Sequence, residues 1–203
     1  MRKLVLLTCT VVATVVIMAS FAGAQQVSQI DIAAGGSTMF SPSYYSSSVA
    51  FVPPPLEGAV YPSFSADVLL DNHFGFNAEG MFRYHQGLYA GYQKFRPIFY
   101  DVNGVYTRKV AAKTTVDFMA GLGGESLLFY NVFGSCPSGA CRASISSNHL
   151  LLHAEFDMRY YFWRKRNLFI RPEAHFYRIV DNTEFSSGNI LRLGASIGYT
   201  FGR

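Results

Sequence analysis

Between Leu150 and Trp163 the chain reads Leu-Leu-Leu-His-Ala-Glu-Phe-Asp-Met-Arg-Tyr-Tyr-Phe-Trp. The even positions (Leu150, Leu152, Ala154, Phe156, Met158, Tyr160, Phe162) are apolar or aromatic, and the odd ones carry His153, Glu155, Asp157 and Arg159. Alternate side chains of a β-strand point to opposite faces, so as a strand this segment has one greasy face and one ionisable face. A soluble sheet would lay the greasy face on a core and leave the charges in water. A barrel in a membrane does the reverse, with lipid outside and polar groups inside. The remainder of the sequence decides between the two.

The first residues supply an address. Met1-Arg2-Lys3 precedes an apolar run from Leu4 to about Phe21, and Ala22-Gly23-Ala24 follows. A basic start, an apolar run and an Ala-x-Ala-like end describe a secretory signal peptide over residues 1–24, removed to leave 25–203 as one domain. An uncleaved anchor is the alternative. The net charge of +4 shrinks once Arg2 and Lys3 leave, and gives no reason to invoke nucleic acid as a partner. With 18 Phe, 13 Tyr, one Trp and only 15% charged residues, the composition suits an aromatic-girdled barrel better than an average soluble enzyme.

Eight segments carry the alternation: Ser28–Phe40, Val60–Leu70, Phe74–Leu88, Pro97–Val110, Thr115–Tyr130, His149–Trp163, Leu168–Val180 and Asn189–Phe201. Their connections alternate between long or medium (41–59, 89–96, 131–148, 181–188) and short (71–73, 111–114, 164–167). Short turns at one end and longer loops at the other are the habit of an eight-stranded antiparallel up-and-down transmembrane β-barrel, and a soluble sandwich has no reason to keep its long loops together. Outward aromatics gather near strand ends. Phe74, Phe76, Tyr106, Phe118, Tyr160, Phe162, Tyr199 and Phe201 fall on the short-turn side, and Phe64, Phe82, Tyr84, Tyr100 and Phe176 toward the loops. Two such girdles are what membrane interfaces select. Pro172 lies inside the seventh strand, where a closed barrel offers no free edge to hide the missing N–H, so a bulge or a lost ladder bond is predicted there.

The opposite parity collects the ionisable groups. An interior ion-pair network is predicted from Glu79, Arg83, Lys109, Asp117, Glu155, Asp157, Arg159, Arg171, Glu173, His175 and Arg192, with Asp31, Asp67, His85, Asp101, Glu125 and His153 on the same face. Eight strands leave a lumen only wide enough for its side chains, so charges inside must pair or bear an uncompensated desolvation cost. Pairing across the hairpin at Arg164–Asn167 predicts a register with Trp163 opposite Phe169, Arg159 opposite Glu173 and Asp157 opposite His175. The alternative, two residues away, sets Arg159 against Arg171 and Asp157 against Glu173. Lys109 is predicted opposite Asp117 by the same reasoning. His153, His175, Glu155 and Asp157 also have the chemistry of a catalytic or metal site. An ion-paired plug is the preferred reading, so no catalytic, cofactor-binding or metal-ligating residue is assigned and no cofactor is expected.

Cys136 and Cys141 enclose Pro-Ser-Gly-Ala, and in an exported chain a local disulfide is the first reading. Arg164-Lys165-Arg166 reads as a solvated turn or a lipid-headgroup contact, and Lys94 and Arg96 as possible partners for lipopolysaccharide phosphates.

On these features, and on the final strand Leu193-Gly-Ala-Ser-Ile-Gly-Tyr-Thr-Phe201, the whole of 25–203 resembles the small eight-stranded outer-membrane barrels: the OmpA membrane domain, OmpX and the broader outer membrane protein beta-barrel domain group. The last strand is similar to the C-terminal signal read by the barrel-insertion machinery, although Gly202 and Arg203 follow the terminal aromatic. The resemblance implies the bacterial outer membrane as location, and lipid, lipopolysaccharide and the insertion machinery as partners. It also implies a non-enzymatic, membrane-structural or adhesion-like role, with a surface ligand met through the outer loops. A narrow porin-like channel is the alternative. A lipid A-modifying enzyme ranks third, because the His-x-Ser pair of the deacylase type is replaced by His175-Phe176-Tyr177.

Overall fold

Period-two alternation is realised in strand after strand of the computed structural model, which describes residues 27–43, 53–70, 73–130, 144–162 and 167–202. The strands are β1 (Gln29–Phe40), β2 (Gly58–Leu69), β3 (Phe74–Phe82), β4 (Gly87–Tyr89), β5 (Gln93–Ala111), β6 (Thr114–Tyr130), β7 (Ser144–Tyr161), β8 (Leu168–Ile179) and β9 (Asn189–Phe201). Each long strand pairs antiparallel with the next, β3 reaches β5 directly, and β1 pairs β9 from Ile30↔Phe201 to Phe40↔Leu191. That last ladder closes the sheet into an eight-stranded barrel. The three-residue β4 is a stub on the start of β5.

The strand ends differ from the sequence expectation in one consistent way. β3 stops at Phe82 rather than Leu88, whereas β5 begins at Gln93 and β7 at Ser144, both earlier than predicted. β5, β6 and β7 rise beyond the rim at the loop end and pair only with one another and with β4, as in Phe95↔Phe129 and Tyr130↔Ser144. Inner positions there pack on loop residues rather than on the ionisable lumen, as Phe95 does on Phe185, so the contrast of apolar and charged faces fades while the ladder continues.

Outward positions are apolar along the length of the barrel. Ile32, Phe64, Val102, Leu122, Leu152 and Ile197 stand exposed around the belt, and the outward arginines Arg96, Arg108 and Arg178 lie near strand ends. All eight predicted girdle residues, Phe74, Phe76, Tyr106, Phe118, Tyr160, Phe162, Tyr199 and Phe201, are exposed on this outer face. Register links several into a row: Phe74 faces Tyr106 with ring centroids 5.3 Å apart, Tyr106 faces Phe118, and Phe118 faces Phe156 at 5.2 Å. An apolar exterior around an ionisable interior is the inside-out arrangement of a membrane-spanning barrel.

Pro172 costs ladder bonds without a bulge. Pairing of β7 with β8 runs Asp157↔Glu173, lapses at Pro172 and Arg171, and resumes at Tyr160↔Ile170 in unchanged register. This register corrects the sequence expectation. Asp157 stands opposite Glu173 rather than His175, and continuity of the ladder sets Arg159 against Arg171. The repulsion that argued against this arrangement is offset by carboxylates from across the lumen: Asp67 of β2 lies 3.1 Å from both guanidiniums, Arg159 adds Asp31 and Asp117, and Arg171 keeps Glu173 and Asp157 beside it. Lys109 is corrected as well. It faces Thr115, not Asp117, and is exposed near the end of β5, just before a register shift. Arg83 likewise leaves the predicted network: β3 has already ended, and its guanidinium lies half-buried over the Phe95 ring, 5.2 Å from the centroid. His85 is exposed beside Tyr84.

Leu122 lies midway along β6 and is 59% exposed on the outer face. Leu122→Arg is expected to lower the stability of the barrel refolded in lipid vesicles by about 2–4 kcal/mol, measured by denaturant titration. An unchanged midpoint would mean that this face does not meet hydrocarbon.

Candidate functional site

The lumen holds the chemistry of this chain, in layers stacked along the barrel axis. At the short-turn end Arg159, on β7, is 1% exposed and takes carboxylates from three other strands. It pairs with Asp31 of β1, lies 3.1 Å from Asp67 of β2 and 2.7 Å from Asp117 of β6, and its guanidinium sits 5.6 Å from the Phe169 ring centroid. Gln29 donates to Asp31 at 2.7 Å. One cation thereby ties four strands.

The next layer is built on Arg171 of β8 and Arg192 of β9. Arg171 donates to Asp67 at 3.1 Å, Glu173 at 2.9 Å and the Ser65 hydroxyl at 2.7 Å, with Asp157 3.7 Å away. Arg192 donates to Glu79 at 2.6 Å, Glu173 at 3.4 Å, Ser37 at 2.8 Å and the Tyr177 hydroxyl at 2.8 Å. Neutral amides link these groups in a directed chain. Asn77 donates to Asp67, and Asn103 donates to the Asn77 carbonyl oxygen at 2.9 Å and to Asp101 at 2.5 Å.

Two imidazoles complete the layer. His153 and His175 have ring planes within 9° of parallel, with His153 Nε2 3.0 Å from His175 Nδ1. His153 Nδ1 meets the Asn103 carbonyl oxygen at 2.9 Å, and His175 Nε2 meets Glu173 at 3.3 Å. Gly121 makes the first contact possible. It lies between Asn103 and His153 in the β5–β6–β7 row, where a Cβ would run into the Val102 carbonyl and the Asn103 amide. Glu155 faces both rings, and neither of its oxygens has a hydrogen-bond partner.

Acidic side chains outnumber basic ones in this lumen. The described buried residues include nine carboxylates (Asp31, Asp67, Glu79, Asp101, Asp117, Glu125, Glu155, Asp157, Glu173), three guanidiniums and two imidazoles. Of the predicted network, Glu79, Asp117, Glu155, Asp157, Arg159, Arg171, Glu173, His175 and Arg192 are brought together inside, without Arg83 and Lys109.

Toward the loops the inner face turns apolar. Met39, Tyr61, Met81, Phe95, Phe99, Leu127, Leu151, Tyr177, Ile179 and Ile190 pack with Leu56 and Phe185, which fold in from the first and last loops. Tyr89 and Phe129 lie against this lid, with Tyr89 edge-on to both Phe129 and Phe185. The sequence signal for it is a loss of alternation: Leu150-Leu151-Leu152 and Leu127-Leu128-Phe129 are apolar on both parities, as strands buried on both faces are. Cys136 and Cys141, the predicted signal segment and the Arg164–Arg166 cluster lie outside the described residues.

Above the lid, Ser147 donates to Glu184 at 2.5 Å, and His149 Nε2 lies 2.9 Å from the same carboxylate, tying the last loop to β7. Burial acts to raise the Glu184 pKa, but the Ser147 hydroxyl, His149 and Thr183 outweigh it and hold the carboxyl below its ordinary range.

No protein-family profile matches the sequence, and no curated protein does. The fold is similar to solved barrels. Neisserial surface protein A superposes with a TM-score of 0.58 at 13% identity, over 85% of this chain and 96% of that one. The N-terminal β-barrel domain of Pseudomonas aeruginosa OprF gives 0.57 at 12% identity, over 87% and 100%. Ail, the attachment invasion locus protein of Yersinia pestis, solved with the heparin analogue sucrose octasulfate, gives 0.54 at 13%, over 85% and 97%.

Arg159→Met leaves Asp31 and Asp117 without a guanidinium, and is expected to destabilise the barrel by about 3–5 kcal/mol in urea refolding titrations. Adding Asp31→Asn and Asp117→Asn is expected to recover most of the loss; no recovery would show that packing rather than charge was removed. A depressed carboxyl stabilises the folded state above its ordinary pKa and loses that contribution as pH falls through the folded value. Amide exchange in 181–188, corrected for its intrinsic pH dependence, is therefore expected to accelerate below about pH 4, and Glu184→Gln to abolish that dependence.

Proposed function

We propose that this chain is a non-enzymatic protein of the bacterial outer membrane, exported with residues 1–24 as a cleaved signal, that acts through its loop end as a membrane-structural or surface-contact component. The observation that carries this reading is the lumen, filled by ion-bound arginines below and closed by the Leu56–Phe185 lid above. A filled barrel offers solutes no path, which leaves the outer surface and the loops as the places where the molecule can meet anything else.

Three further features support it. The exterior is apolar between girdles, as a hydrocarbon environment requires. Lys94, Arg96 and Arg178 face outward at the loop end, where lipopolysaccharide phosphates would lie. His175, the residue nearest to a lipid-deacylase pattern, is fully buried inside the barrel and out of reach of a lipid in the surrounding membrane. Similar barrels come from proteins named for the cell surface and for attachment, and the parallel favours contact over transport.

The test joins location to permeability. The protein is expected in the outer-membrane fraction of expressing cells, processed after Ala24. Reconstituted in planar bilayers, it is expected to give no discrete conductance steps, and deletion of Ser43–Pro55 to reduce binding of the cells to a surface that the full chain recognises. Reproducible unitary steps would establish the channel reading instead.

A further inference from the structure

The two buried histidines pose a problem of hydrogen-bond direction. The Asn103 amide is oriented by its neighbours: its nitrogen donates to Asp101 at 2.5 Å and to Asn77 at 2.9 Å, so its oxygen faces His153 Nδ1 at 2.9 Å. An amide oxygen only accepts, so Nδ1 carries the proton and Nε2 presents a lone pair. On the second ring, His175 Nε2 lies 3.3 Å from the Glu173 carboxylate, which also only accepts, so in the neutral imidazole Nδ1 presents a lone pair. These two lone-pair atoms then face each other at 3.0 Å. The third atom at this point is Glu155 Oε2, 3.3 Å from His175 Nδ1 and 3.8 Å from His153 Nε2, fully buried and with no hydrogen-bond donor. Three acceptors converge, and the donor that approaches them is Arg192 Nη1, at a long 3.5 Å from His175 Nδ1.

We propose that His153, Glu155 and His175 bind one divalent transition-metal ion of the zinc class inside the barrel. The separations fit. A circle through three points 3.0, 3.3 and 3.8 Å apart has a radius of about 2.0 Å, which is the ordinary zinc–nitrogen and zinc–oxygen bond length. Glu79 Oε2 lies 3.8 Å from His175 Nδ1 and also lacks a hydrogen bond, but it clusters with Glu173 and His175 rather than with His153 and Glu155, so three protein ligands leave the fourth position to a water. Each histidine has the partner that a metal-bound imidazole needs on its other nitrogen, Asn103 for one and Glu173 for the other. The Arg192 guanidinium approaches the cluster from one side: its Nη1 donates to the Tyr177 hydroxyl at 2.8 Å and lies 3.5 Å from His175 Nδ1, and its Nη2 is held by Glu79 at 2.6 Å.

The charge of the lumen points the same way. Nine buried carboxylates against three guanidiniums leave negative charge that desolvation does not tolerate unneutralised. A dication on the histidine cluster removes two units of it at the point where Glu155 lacks a donor. Walled by the lid on one side and the Arg159 layer on the other, the ion enters as the barrel folds and not afterwards, so binding and folding are coupled.

The experiment uses the untagged full chain, refolded in detergent with or without equimolar zinc, passed over a chelating resin and assayed by mass spectrometry for metal. Heat-modifiable gel mobility reports folding in the same samples. About one zinc per folded chain is expected, with a loss of about tenfold or more in His153→Ala and Glu155→Gln. Glu125→Gln, which removes a buried carboxylate outside the cluster, is expected to keep its zinc. Asn103→Ala is expected to weaken retention by about ten- to hundredfold, because it frees the His153 tautomer. Should the ligand variants not fold, cobalt refolded into the unmodified chain reports the site directly, through the visible absorption of a four-coordinate nitrogen–oxygen complex. A folded protein that retains no zinc and gives no such absorption overturns the proposal, and the three acceptors then share a proton. Zinc retained equally by His153→Ala and Glu155→Gln overturns it too.

Discussion

A strand edge surrounded by hydrocarbon has no water to satisfy its N–H and C=O groups, so the sheet must close on itself. Here closure is the ladder of β1 against β9, eleven residue pairs long. Much follows from it. Eight strands in a closed ring fix the width, and at that width side chains fill the interior. The outward parity is given to lipid, so every polar residue of the spanning strands must lie inward or at an end. The lumen is therefore crowded with ionisable groups by topology, before any question of function arises.

Crowding changes how those groups neutralise one another. On an open sheet the natural partner of a charge is its cross-strand neighbour. In this barrel Arg159, on β7, lies closest to carboxylates on β1, β2 and β6, while Arg171, its opposite across the hairpin, turns to Asp67, Asp157 and Glu173. A long side chain spans the lumen, so distance across the ring matters as much as distance along the ladder. Two arginines can then face each other in register, because Asp67 of β2 lies between them at 3.1 Å from each and further carboxylates surround both.

This explains what could be read in the sequence and what could not. Strand number, facing and loop asymmetry depend on period-two alternation and on turn length, which are local, and they were legible to within a few residues. The lost ladder bonds at Pro172 were legible for the same reason. The register of β7 against β8 was not, because it was argued from pairs across one hairpin when the deciding partners came from β1, β2 and β6. Arg83 and Lys109 had the right parity but lay where β3 had ended and β5 was leaving the barrel, so parity no longer meant lumen. The apolar lid went unread, although Leu150-Leu151-Leu152 carries its signal as a break in alternation. The Asn77–Asn103–His153 chain left no sequence signal, since it depends on Gly121 opening a gap between neighbours that are remote in the chain.

The lid and the arginine layers bear together on whether this barrel can open. A continuous water path would have to part Leu56 and Phe185 from the residues they cover, and also separate Arg192 from Glu79 or Arg159 from its carboxylates. Exposing one large apolar side chain costs about 1.5–3 kcal/mol. Breaking one buried ion pair costs about 3–5 kcal/mol. The smaller pair cost alone holds an open state to roughly one molecule in a hundred or fewer, since every 1.4 kcal/mol is a factor of ten. The two costs fall in different layers joined at Tyr177, which packs in the lid and accepts from Arg192 at 2.8 Å, so both have to be met for a path to open. A scaffold sealed twice in this way is suited to holding its loops in fixed positions, and poorly suited to passing a solute.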